Sequence, residues 1–119
     1  MLNLRGVKGE IEIKCVAQLE QGLNKTIPIE FVCTWKKLEV EEATEALDRI
    51  RTREIPDREI ARLFLLNIKG LRDADTNDEF EYDDALVDEL YKHREYKRAI
   101  IDSFFLATTG RKTALEKNL

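Results

Sequence analysis

Two cysteines, two prolines, one tryptophan, one methionine and one histidine are all that this chain holds of those residue types. Each scarcity excludes something. Two cysteines cannot staple a small disulfide scaffold, and without histidine partners they do not make a zinc site. Five glycines spread along 119 residues form no Gly-x-Gly-x-x-Gly or Walker pattern, so no phosphate cradle or nucleotide cofactor is indicated. The longest uninterrupted apolar runs, Leu63–Leu66 and Phe104–Ala107, fall far short of the roughly 20 residues a membrane span needs. Residues 1–9 carry no apolar h-region, so no secretory signal is expected there. A net charge of -4 argues against a nucleic-acid partner. What is present is 43% hydrophobic and 37% charged residues, enough apolar material for a core under a heavily charged surface.

The hydrophobic pattern has period two at the N-terminal end. Ile11, Ile13, Cys15, Ala17 and Leu19 share one face of residues 10–20, with Glu10, Glu12, Lys14, Gln18 and Glu20 on the other and Val16 as the exception, which predicts a half-buried strand. Gln21–Lys25 carries Gly22 and Asn24, residues that tolerate positive φ. A second alternation follows, with Ile27, Ile29, Phe31, Cys33 and Trp35 facing inward. Together these predict a β-hairpin. Pro28 cannot donate to a ladder, so its N–H side is expected at an edge. A hairpin alone is marginal in water, so helices must cover its apolar face.

From Glu39 the period lengthens. Ala43, Leu47 and Ile50, flanked by Val40 and Ala46, predict a helix that stops near Arg53, ahead of Pro56. Pro56 suits the start of a second helix over 56–69, apolar most of the way round and stopped at Gly70. Residues 71–84 read as an acidic loop. Asp83-Asp84 opens a third helix carrying Ala85, Leu86, Leu90 and Tyr91, a break falls at Lys92–Glu95, and a last helix runs from about Tyr96 to Thr109. The expected fold is α+β and mainly α: an N-terminal hairpin packed against about four helices, one domain over 1–110, with a flexible tail over 111–119.

Charge is placed unevenly. Residues 73–90 hold nine acidic side chains and no basic one, while residues 91–119 hold seven basic and three acidic. Adjacent blocks of opposite sign allow self-association, although a solvated loop beside a solvated helix has the same composition. Within the acidic block, Asp73-x-Asp75-x-Asn77-x-Glu79 has calcium-loop spacing, but the sixth position is Asp78 in place of Gly and the twelfth is Asp84 in place of Glu. A calcium-dependent interaction module is the remote reading, and no metal site is assigned. His93 lies among Lys92, Arg94 and Glu95 with no nucleophile or orienting acid marked for it, so no catalytic residue and no enzyme is expected. Cys15 and Cys33 lie on one face of the hairpin and are expected to be reduced and buried. In the last helix, Ile100-Ile101 and Phe104-Phe105 point about 100° apart within each pair, more than one intramolecular face buries. Ile101, Phe105 and Leu106, with Arg111 and Lys112 beyond, are therefore the candidate partner surface. The Lys36–Glu42 stretch is a weaker candidate.

From Leu65 onward the order of features resembles a known family. Asn67-Ile68-Lys69-Gly70-Leu71 is followed by the acidic Arg72-Asp73-Ala74-Asp75-Thr76-Asn77-Asp78-Glu79, then by Phe80-Glu81-Tyr82-Asp83-Asp84-Ala85-Leu86. Arg98–Ala107 leads into Gly110-Arg111 and ends at Lys117-Asn118. About half the chain, in this order, resembles the tail assembly chaperones of long-tailed bacteriophages. The resemblance implies a non-enzymatic protein of the host cytoplasm that coats the tape measure protein, keeps it soluble and helps recruit tail tube subunits. It also implies a longer form made by ribosomal frameshifting near the C-terminus, and Lys117-Asn118 is encodable by a slippery heptamer. Loop 72–79 lacks the Gly often found there in the family. A small structural or adaptor protein of the virion is the alternative that the same charged helical surface admits.

Overall fold

The structure is a computed structural model and describes residues 9–54 and 56–109. The two alternating segments form β1 (Glu10–Glu20) and β2 (Thr26–Lys36), paired antiparallel with Gln18 opposite Pro28. Gly22 and Asn24 in the connection take φ of 119° and 56°, the left-handed region predicted for that turn. Helix α1 (Val40–Arg51) and α2 (Asp57–Phe64) follow, then β3 (Leu65–Lys69), α3 (Asp84–Tyr91) and α4 (Arg94–Thr109). The fold is α+β with an N-terminal hairpin and four helices, as expected, and the sheet has the order β1-β2-β3.

The third strand corrects the expected helix over 56–69. The chain leaves α2 at Phe64 and enters β3 at Leu65 with no intervening loop. The run Leu63–Leu66 satisfies either period, so its composition does not choose between them. Tertiary pairing does: Cys33 stands opposite Ile68 and Trp35 opposite Leu65, with a bulge at Thr34/Trp35 that absorbs Leu66. Gly70 therefore ends a strand, not a helix. It takes φ of 93°, and an added Cβ would lie 3.6 Å from the Phe31 Cα.

The core lies between the inner face of the sheet and helices α2, α3 and α4. Trp35, Phe31, Cys33, Ile60, Ile68, Val87, Ile100 and Phe104 are its fully buried members. Phe104 stacks on Phe64 at 5.6 Å and meets Trp35 edge-on at 5.2 Å. The Trp35 indole N–H donates to Ser103 Oγ at 2.7 Å, and the Ser103 hydroxyl donates to the Ile100 carbonyl at 2.6 Å. Both ends of the buried tryptophan are thus satisfied, one by aromatic packing and one by a hydroxyl.

Arg58 ties α2 to α3. Its Nε donates to Asp88 at 2.5 Å, its Nη2 reaches the Asp84 carbonyl at 3.3 Å, and its guanidinium lies 5.9 Å from the Tyr91 ring centre. Burial works against the Arg58 charge, but Asp88 and Asp84 outweigh it, and its pKa is raised. The same bond from Arg58 holds the Asp88 carboxyl below the usual carboxylate range. Two residues of the acidic block, Asp84 and Asp88, are therefore engaged within the chain.

Candidate functional site

Helix α4 divides by face. Ile100, Ser103 and Phe104 are buried, and Tyr96, Ala99 and Ala107 pack on the same core. Ile101, Phe105 and Leu106 are half-buried and stand outside that cluster. Residues one position apart point about 100° apart, so the helix that inserts Phe104 between Trp35 and Phe64 turns Phe105 away. The Phe105 ring keeps an edge-on contact with Phe104 at 5.9 Å. Leu106 faces β1, where it shares a recess with Lys14, Val16 and Asp102. The three predicted residues thus occupy two flanks of α4, with Leu106 on the sheet-edge side. Arg111 and Lys112, with the tail over 111–119 and the Lys117-Asn118 pair, lie outside the described residues.

The weaker candidate stretch behaves differently. Lys36 pairs with Glu42 at 3.6 Å, while Val40, at the first turn of α1, is 83% exposed. Val40 does not join the core that Leu47 and Ile50 reach from the same helix. Leu63, Leu66 and Phe80 are also exposed large apolar residues. The sequence does not single out any of these three as surface. A continuous helix drawn through Leu63 and Leu66 hides them, because its wide apolar stripe has to be buried.

Loop 72–79 closes as a small hairpin with Arg72 opposite Glu79. The Asp73 carboxylate accepts from the backbone N–H groups of Thr76 at 3.0 Å and Asp75 at 2.7 Å, bonds that hold it below the usual carboxylate range. Asn77 takes φ of 61°, a left-handed conformation that asparagine tolerates better than most residues. Among the described residues no group of three or more His, Cys, Asp or Glu is placed to hold a metal ion. His93 stands exposed in the break between α3 and α4, 4.0 Å from Glu89. Cys15 and Cys33 are buried free thiols, diagonal across the hairpin because Cys15 faces Phe31 and Cys33 faces Ile13. Hydrogen bonding to Cys15 and burial push the Cys33 thiol up.

Ser103 and the groove beside β1 escape a reading of the sequence. A serine in the middle of Ile100–Ala107, where every other inward position is apolar, is the available signal for the first. No protein-family model, curated protein or solved structure matches the chain.

Proposed function

We propose that this protein is a tail assembly chaperone of a long-tailed bacteriophage, acting in the host cytoplasm by reversible binding and without catalysis. Its client is the tape measure protein, and a frameshift-extended form recruits tail tube subunits. The observation that carries the reading is the division of α4. One face is sealed into the core while Ile101, Phe105 and Leu106 are left half-exposed. A long helical client aggregates through its apolar stripes, and a binder for it needs spare apolar helix surface on a highly charged body. The order of motifs from Leu65 to Asn118 supports the same reading.

The test is co-expression with the tape measure protein proposed as its client. The wild-type chain is expected to move the client into the soluble fraction, and Phe105→Asp is expected to fold normally and fail to do so. A client that stays equally insoluble with and without the wild-type chain refutes the reading. Sequencing the coding DNA around Lys117-Asn118 is the second check, with a slippery heptamer and an overlapping frame expected there.

A further inference from the structure

β1 is the outer strand of the sheet, and its register fixes which of its backbone groups are in use. The Gly9 carbonyl accepts from Lys37 N–H at 2.9 Å, and Gln21 N–H donates to the Lys25 carbonyl at 2.8 Å. The odd-numbered residues between them therefore bond to β2, and the even-numbered residues from Glu10 to Glu20 turn their N–H and C=O groups outward. Among the described residues no backbone group pairs with that edge. An open edge on an 11-residue strand is a template for another strand. A groove of about 520 Å³ runs along it, with Val16, Gln18 and Glu20 on one wall and Glu95, Arg98 and Asp102 of α4 on the other.

We infer that the β1 edge pairs with β1 of a second copy of this chain, antiparallel about a two-fold axis at Ala17. Lys14 then stands opposite Glu20 of the second copy, and Val16 opposite its Gln18. Four outward-facing residues on each copy, paired two bonds at a time, make eight hydrogen bonds between the copies. Charge selects the register. Centring the pair on Lys14 sets Lys14 against itself, centring on Cys15 sets Glu10 against Glu20, and centring on Val16 sets Glu12 against Glu20. Like charges directly opposite are destabilising. Two registers oppose unlike charges twice and like charges nowhere: Ile13 at the centre with Glu12 against Lys14, and Ala17 at the centre with Lys14 against Glu20. Both draw on Lys14, which also reaches Glu30 within its own chain at 3.3 Å. The first draws in addition on Glu12, already bound to Lys69 across the sheet, and is centred outside the groove. The second places the uncharged Val16–Leu19 segment at the centre, along that groove, and covers Val16, which is 41% exposed. The α4 wall presents Arg94, Glu95, Arg98 and Asp102, two charges of each sign, so the second copy meets no wall of like charge.

The test is sedimentation of the full chain over a range of concentrations, with circular dichroism to confirm folding. Wild type is expected to be dimeric. Lys14→Glu and Glu20→Lys each set like charges opposite one another twice and are expected to weaken dimerisation by roughly tenfold to a hundredfold. Mixed in equal amounts, the two variants restore an unlike pair at both contacts, with the signs exchanged at one of them, and they are expected to form a heterodimer. Gln18→Pro removes an outward N–H without breaking the β1–β2 ladder and is expected to give a folded monomer. A wild-type chain that is monomeric at every concentration overturns the inference. So does a dimer indifferent to Glu20→Lys, or a mixture of the charge variants that stays monomeric.

Discussion

Removing one hydroxyl at Ser103 tests how the core is held together. Trp35 is fully buried and its indole N–H has Ser103 Oγ as its partner at 2.7 Å. Ser103→Ala leaves that donor in an apolar surround, and a buried donor stripped of its acceptor costs about 1–3 kcal/mol. The lost hydroxyl leaves only a small void, so the cavity contribution is minor beside the unpaired N–H. For a chain of this length, midway between the usual calibrations, the shift in Tm is roughly 3–6 °C per kcal/mol. The assay is urea unfolding followed by fluorescence, which reports this site directly because Trp35 is the only tryptophan. Trp35→Phe, alone and in the Ser103→Ala background, completes a double-mutant cycle read by circular dichroism because these variants lack the fluorophore, and the coupling should account for most of the Ser103→Ala loss. A Ser103→Ala variant within about 0.5 kcal/mol of wild type, the range of ordinary surface changes, would show that this bond does not hold α4 to the sheet.

Phe104→Ala is expected to cost about 3–5 kcal/mol in the same assay, because the ring it removes fills the space between Phe64 and Trp35. Arg58→Ala should cost about 1–2 kcal/mol, at the low end for a charge-assisted bond because solvent reaches the Asp88 side, and should free α3 from α2, read as early exchange of the α3 amides. The Asp73 and Asp88 pKa values are depressed in the folded chain. Their stabilisation is therefore present above the ordinary carboxylate range and is lost as pH falls through it and below. Unfolding midpoints measured downward from neutrality should drop in that window, and Asp88→Asn should flatten the dependence; an unchanged slope would contradict the assigned role of Arg58.

The hairpin was legible to within a residue at its strand ends, although Ile27, expected inward, is 44% exposed. Ile11 through Leu19, Val16 excepted, and Ile27 through Trp35 alternate without a competing period. Pro28, the one hairpin residue of fixed φ, falls where β2 extends past β3 and its missing N–H has no ladder bond to make. The inner face of α4 was legible for the same reason, since Ile100, Phe104 and Ala107 keep helical spacing. β3 was not. Leu63-Phe64-Leu65-Leu66 is apolar at every position, so no periodicity marks where helix gives way to strand, and only the waiting edge of β2 makes the choice. The groove along β1 was equally hidden, because an open edge is a property of strand order, which local pattern does not encode. Ser103 was missed, because a single polar residue among apolar ones does not name its partner, which lies 68 residues away in sequence.

Pro28 leaves the two edges of the sheet unequal. It interrupts the donors along the far side of β2, while the Tyr82 hydroxyl donates to the Leu65 carbonyl and the Glu79 carboxylate accepts from Gly70 N–H at either end of β3. A strand arriving from that side meets only the 5 residues of β3, with both ends engaged, whereas one arriving beside β1 meets an 11-residue edge. Growth through a two-fold contact consumes the β1 margin of both molecules at once, so addition along that margin terminates after a single step.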